Sequence, residues 1–303
     1  MEIDINILIE FELGLNPVSL EDSPIKADLL GYGEISAIFK LENIPCALKR
    51  LPIFNSSAQA EEYLKLHDEY CEHLIKAGIN LPTWKGYVVE VPNRPVSLYI
   101  AQEILLGEDF VHNAIGNDKK KDLKIIEKSI TEIEKVWKYN KTVGADTEIE
   151  IAIDGQLSNW SILDDTLLYI DTSTPLLRRE GKEQMNPDLI LQSAPGFLRW
   201  ILKLFFVDDV LNRYYIPSQV YTDLVANLHK EQQPNLIPES VKIANKYLED
   251  ENDKLTEKKI EKYYKEDKLI WTLFLAFRRF DRFLTTKILR KRYEFILPGK
   301  IKR

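Results

Sequence analysis

Cysteine is almost missing from this chain: Cys46 and Cys71 are the only two in 303 residues. They fall in different expected elements with no Cys-x-x-Cys spacing, which excludes a disulfide scaffold and a paired-thiol redox or zinc site. Histidine is scarce too. His67 and His73 share an expected helix but lie six apart, on different faces, and His112 and His229 are remote, so no zinc cluster is expected. Long apolar runs are also absent. The longest, Leu269 to Phe277, is broken at Thr272 and is far too short to span a bilayer. Met1-Glu-Ile-Asp-Ile-Asn has neither a basic start nor a continuous apolar core, so no signal peptide is expected and a reducing cytoplasm is the expected location.

What is present describes a soluble globular protein, with 45% hydrophobic and 29% charged residues and no low-complexity tract. A chain of this length can bury a sizeable core and form two lobes. The formal charge of −7 is unevenly spread: from Arg278 onward ten Lys or Arg face only Asp281 and Glu294. The tail therefore carries about +8 and the preceding body about −15, and so acidic a body is not expected to bind nucleic acid.

Ile3, Ile5, Ile7, Ile9 and Phe11 alternate with mostly polar neighbours, the two-residue period of a half-buried strand. After the breaks at Asn16-Pro17 and Ser23-Pro24, residues Ala27 to Leu51 read as three antiparallel strands. Gly31 and Gly33 flank Tyr32 at the first turn. There they either let backbone N–H groups approach a phosphate or supply a hairpin with positive φ. Lys49 sits in the apolar run Cys46-Ala-Leu-Lys-Arg-Leu beside Arg50, so the two point to opposite faces. If Ala47 shares the face of Lys49, that lysine can enter a cleft; otherwise it is solvated. Ala58 to Ala77 reads as a helix, N-capped at Ser56 or Ser57 and ended at Gly78, with Tyr63, Leu66, Tyr70 and Leu74 on its stripe. Glu62 or Glu69 on it could reach a lysine across the sheet. Two more strands follow, Trp84 to Val91 and Val96 to Leu105, then long helices expected over Asp122 to Tyr139, Pro217 to Lys230, Pro238 to Leu248 and Thr256 to about Tyr293. From Phe197 onward the pattern is mostly helical.

Between them, Ile151 to Asp171 alternates three apolar runs with polar residues, and each run ends in a carboxylate. A tight loop and a short hairpin can bring Asp154, Asn159 and Asp171 to one point, an oxygen-rich cluster suited to a hydroxyl proton and a hard cation such as Mg²⁺.

Taken in order, these residues resemble the protein-kinase-like superfamily, specifically its aminoglycoside phosphotransferase and choline kinase branch, over roughly residues 27 to 175. Gly31-Tyr-Gly-Glu-Ile-Ser resembles the glycine loop over ATP phosphates, and Ala47-Leu-Lys49 the strand whose lysine holds them. Glu69, thirteen residues before Pro82, resembles the helix glutamate that pairs with that lysine. Gln102-Glu-Ile-Leu-Leu-Gly107 is similar to the hinge, where backbone groups of Glu103 and Leu105 would face adenine. The resemblance implies an α+β bilobal fold, with an antiparallel five-stranded nucleotide-binding lobe carrying one helix (1–103) and a mostly helical lobe (104–303). It implies ATP and Mg²⁺ as cofactors, Gly31, Tyr32, Gly33 and Lys49 at the nucleotide, Asp154 orienting or deprotonating the acceptor hydroxyl, and Asn159 and Asp171 on the metal. The chain departs from the family at Ser36 in place of a third glycine, at Ile153 near the catalytic aspartate, at Gly155-Gln156, and at Thr172-Ser173 after Asp171.

The expected function is an ATP- and Mg²⁺-dependent phosphotransferase acting on a small hydroxylated metabolite; an acidic helical lobe would suit a cationic acceptor. The alternative is a pseudokinase-like module that binds a nucleotide or a partner without turnover. The tail interleaves aromatic and aliphatic residues from Trp271 to Leu289 with seven Lys or Arg. Either its apolar side packs on the helical lobe or it forms a basic amphipathic helix lying on an anionic membrane.

Overall fold

The computed structural model describes residues 2–33, 35–196, 198–199, 202–203 and 207–297. Met1, Glu34 of the glycine turn, Phe197 at the head of the helical region, Trp200, Ile201, 204–206 and 298–303 lie outside the described residues. The architecture is α+β. Its first part is a five-stranded antiparallel sheet of order β1-β2-β3-β5-β4, built from β1 (Ala27–Tyr32), β2 (Ala37–Leu41), β3 (Cys46–Phe54), β4 (Trp84–Val89) and β5 (Val96–Glu103).

The two-residue period of β3 and β5 divides the sheet between two cores. Leu48 of β3 and Tyr99 and Ala101 of β5 join Phe39 on one face; Leu51 and Ile53 join Leu98 and Ile100 on the other. Lys49 therefore points with Leu51 toward the larger core, and Arg50 points away from it. The outer face is covered by α1 (Ile5–Gly14), through Leu8, Phe11 and Leu15. This corrects the strand expected at the amino terminus. The alternating isoleucines mislead because Ile5 and Ile7 are exposed, whereas the buried set Leu8, Phe11, Glu12 and Leu15 follows helical spacing. The Asp4 side chain accepts from Asn6 N and caps the helix.

On the inner face lies α2 (Ser57–Lys76), N-capped by Ser56 and ended before Gly78, whose φ is +90°. Its buried stripe is Tyr63, His67, Tyr70 and Leu74; it packs on the sheet, and Tyr63, Tyr70 and Leu74 belong to the same core as the buried side of α3 (Lys119–Tyr139), itself capped by Asp118. Three short ladders follow. β6 (Ile149–Ile151) pairs with β9 (Leu177–Arg179), which pairs with β10 (Lys182–Glu183), while β7 (Trp160–Leu163) and β8 (Thr166–Tyr169) form the expected hairpin. Asp164 and Asp165 make its two-residue turn with φ of 47° and 61°, the left-handed pair that matches strand twist. The remaining long helices are α4 (Pro217–Lys230), α5 (Ile237–Ala244) and α6 (Glu257–Phe283). Thr256 caps α6, which ends in one wider turn over Leu284–Ile288.

Beyond α6 the chain returns to the sheet. Glu294 accepts from Arg50, and Ile296 packs on the outer core. The tail's apolar set is split: Leu275 is buried and Trp271, Phe274 and Leu284 are half-buried, whereas Phe280, Phe283, Ile288 and Leu289 are exposed. Among the described residues no helix is long and apolar enough to cross a membrane. Both cysteines are free and buried, and burial pushes the Cys71 thiol up to about 12, which leaves it unreactive at neutral pH.

Candidate active site

The sheet and the β7–β8 hairpin meet at Lys49. Its ammonium donates to Asp171 Oδ1 at 2.5 Å, joining residues 122 positions apart in the chain. Asp171 lies just past β8 and also accepts from Ser173 Oγ at 2.9 Å. Burial opposes ionisation of this carboxyl, but the Lys49 charge and the Ser173 hydroxyl and backbone outweigh it. The group is held below the ordinary carboxylate range.

Strand β6 delivers Ile153 into the core and brings Asp154 out beside the hairpin. Asp154 N donates to Tyr169 Oη at 3.3 Å, its Oδ1 accepts from Gln156 N at 3.1 Å, and its carbonyl accepts from Asn159 Nδ2 at 3.4 Å. That last bond leaves Asn159 Oδ1 available as an acceptor. The carbonyl of Asn159 takes Ile170 N at 2.9 Å, so the asparagine and the residue preceding Asp171 are hydrogen-bonded neighbours across the base of the hairpin. Gly155 is needed here, because a Cβ would meet Val220 Cγ1 at 2.8 Å and Ile133 Cδ1 at 3.0 Å. Its bare backbone lets the loop settle onto α3 and α4.

Lys49 thus meets Asp171, and Asn159 bonds both the Asp154 carbonyl and the residue before Asp171, but Glu69 does not join them. Glu69 accepts from Arg179 at 2.6 Å and lies 3.8 Å from His73 Nε2. The expected Lys49–Glu69 pair is replaced by Lys49–Asp171. The cause is helical phase: Glu69 sits off the buried stripe, which presents Tyr63, His67 and Tyr70 inward instead. Glu62 is exposed and does not substitute for it.

Sequence reasoning placed Tyr63 and Tyr70 on the stripe without a role at the site and put Leu66 there in place of the buried His67. Tyr63 Oη donates to Ser173 O at 2.6 Å, His67 Nε2 lies 3.0 Å from Thr172 Oγ1, and Tyr70 Oη donates to Ala152 O at 2.7 Å. Helix α2 therefore clamps the backbone on both sides of the cluster. Polar-tipped rings on a core stripe were the available signal, since buried hydroxyl and imidazole groups must find partners. Below the loop, Gln156 Nε2 and Tyr263 Oη each donate to Asp223 at 2.9 Å, fixing the residue two past Asp154 to α4 and α6.

At the glycine turn, Gly33 N donates to Ser36 O at 2.9 Å, closing a short connection between β1 and β2. Neither Gly31 nor Gly33 has positive φ. A Cβ on Gly33 would come within 3.2 Å of Ser36 Oγ, so tightness of the turn, not handedness, is what glycine permits there. Tyr32 is partly exposed at the end of β1. Glu103 is the last residue of β5, opposite Cys46, and Leu105 lies two residues on in the irregular connection that leads to the helical region.

The donor set around Asp171 and Asn159 is oxygen only, which fits a hard cation that takes one or two protein ligands and completes its shell with water and phosphate. Among the described residues no group of three or more His, Cys, Asp or Glu could hold a metal by itself.

The model of a family of unknown function, DUF6206, matches residues 19–282, and the chain belongs to that family. No curated protein matches the sequence. Among solved structures, a mutant kinase domain of Mycobacterium tuberculosis PknI is 14% identical and overlaps 78% of this chain and 92% of its own, with a TM-score of 0.35.

Proposed function

We propose that this DUF6206 member is a kinase-like phosphotransferase, with a bilobal arrangement in which ATP and Mg²⁺ lie between the sheet and the hairpin and a small hydroxylated metabolite is the acceptor. The observation that carries the reading is the 2.5 Å contact of Lys49 with Asp171, one residue past the Ile170 that is hydrogen-bonded to Asn159, itself bonded to Asp154. A cation on the sheet and oxygen ligands on the hairpin are what positioning and charge neutralisation of a transferring phosphoryl group require. Asp171 and Asn159 Oδ1 would hold the metal, which supplies charge neutralisation at the phosphates when bound. Lys49, displaced from Asp171 by that cation, would turn to the phosphate oxygens. Asp154, oriented by Gln156 N, would accept the acceptor hydroxyl's proton. The backbone of Gly31, Tyr32 and Gly33 would cover the phosphates, and Glu103 and Leu105 would meet the adenine edge.

The position of Glu69 favours a second reading, a nucleotide- or partner-binding module without turnover. A lysine held by the metal-binding carboxylate, with the helix glutamate committed to Arg179, describes a site closed on itself.

One experiment separates the readings. ATP with Mg²⁺ is expected to raise the thermal midpoint of the wild type and not of Lys49→Met. A screen of ATP consumption over hydroxylated metabolites is then expected to find turnover that Asp154→Ala lowers at least about 100-fold. No midpoint shift at millimolar nucleotide would overturn both readings of the nucleotide site. A shift without turnover would favour the binding module.

A further inference from the structure

Helix α6 changes character halfway along. In its first half the side opposite the buried residues carries Lys258, Lys262 and Lys265, all exposed, as a surface helix should. From Leu269 onward the same side carries Leu269, Leu273, Phe280 and Phe283, each between 49% and 60% exposed. Ile288 and Leu289 extend the patch past the helix at 60% and 59%. A row of large apolar side chains on the solvent side of a helix is costly to leave in water and marks a surface that docks on something.

Charge says what that is. Lys287, Arg290 and Lys291 are exposed at the end of the patch and Lys268 at its start. Between Lys268 and Arg292 the sole acid is Asp281, which is half-buried with Arg199 and Arg278 beside it. A second copy of the chain seated on this face would bring like charges together. An anionic bilayer would meet cations with anions and take the leucine and phenylalanine side chains into the boundary between headgroups and acyl chains.

We propose that the second half of α6 and the turn that follows form a peripheral docking surface for an anionic lipid membrane. The helix lies in the plane of the interface. The chain beyond it is pinned to the sheet, where Glu294 accepts from Arg50 at 3.1 Å, so docking also fixes how the sheet is held relative to the lipid.

Co-sedimentation of the full chain with vesicles of phosphatidylcholine, with and without phosphatidylserine, tests this. The wild type is expected to pellet with the anionic vesicles and at least about tenfold less with neutral ones, because one helix face needs the charge as well as the apolar contact. The double substitution Leu273→Gln/Phe280→Gln, at exposed sites and with an unchanged thermal midpoint, is expected to lower partitioning at least about tenfold, as is Lys287→Glu/Arg290→Glu/Lys291→Glu. Wild type remaining in the supernatant with anionic vesicles overturns the proposal, and so does a double variant that binds as the wild type does. A concentration-dependent dimer that the double substitution abolishes, without vesicle binding, assigns the face to a second copy and overturns it as well.

Discussion

Lys49 and Arg50 are neighbours on β3, carry the same charge, and each meets a carboxylate from a distant part of the chain, yet their surroundings are opposite. Arg50 bonds both carboxylate oxygens of Glu12, at 2.8 and 2.6 Å, and the carbonyl and carboxylate of Glu294, at 2.9 and 3.1 Å. Tyr99 donates to the same Glu12 carboxylate. The Arg50 and Glu12 side chains are 2% and 0% exposed. Among the described residues the Lys49 ammonium makes one ion pair, from a side chain that is 11% exposed to an Asp171 side chain that is 38% exposed. The comparison separates a pair that ties α1 and the returning tail to the sheet from one whose carboxylate is reached by solvent. Multiplicity of bonds and dryness, not charge or distance, make the difference.

The largest effect expected to test it is on stability. Arg50→Ala leaves the Glu12 carboxylate buried and unpaired and is expected to cost about 3–5 kcal/mol. Lys49→Ala, whose partner can be hydrated, is expected to cost less than about 1 kcal/mol. Urea unfolding of both variants checks this, and equal losses would break the distinction.

Acid sharpens it next. Burial opposes ionisation of Glu12, but the charge and hydrogen bonds of Arg50, with the Tyr99 hydroxyl, win, so its carboxyl, like that of Asp171, sits below the ordinary range. A depressed folded pKa gives stability that is complete above the unfolded value, roughly pH 4, and is lost as pH falls through the folded value. Asp171→Asn is expected to remove part of the acid-side slope of unfolding free energy and leave the Glu12 part. A slope unchanged by the substitution would show that the Lys49 contact contributes nothing to stability.

The smallest effect belongs to Glu69. Its contact with Arg179 is partly exposed on both sides, and Glu69→Ala is expected to cost less than about 1 kcal/mol and to leave any nucleotide-dependent thermal shift intact. Loss of that shift would mean that Glu69 moves to Lys49 when nucleotide is present.

Much of this was legible along the chain. The β7–β8 hairpin announced itself through the apolar runs Trp160 to Leu163 and Leu167 to Ile170, each ending in a carboxylate, because apolar runs and their breaks are properties of a few adjacent residues. Helices α2 and α4 appeared within a residue or two of their bounds for the same reason. The convergence of Lys49 with Asp171 was legible only through resemblance, since no local rule joins residues so far apart. Helix α1 was misread because Ile3 to Phe11 fits two periods at once, and Arg50 and Tyr99, which receive Glu12, lie far along the sequence.

The sequence alone determined the elements after α1 in broad outline, the opposed directions of Lys49 and Arg50, and the oxygen-rich chemistry of Asp154, Asn159 and Asp171, because strand alternation and side-chain type are local facts. Only the tertiary structure decided the partners. It gave Asp171 rather than Glu69 to Lys49, sealed Arg50 between α1 and the returning tail, and turned Leu269, Leu273, Phe280 and Phe283 of α6 outward. Helical phase and the packing of remote segments, not the identity of any residue, fix which groups share a space.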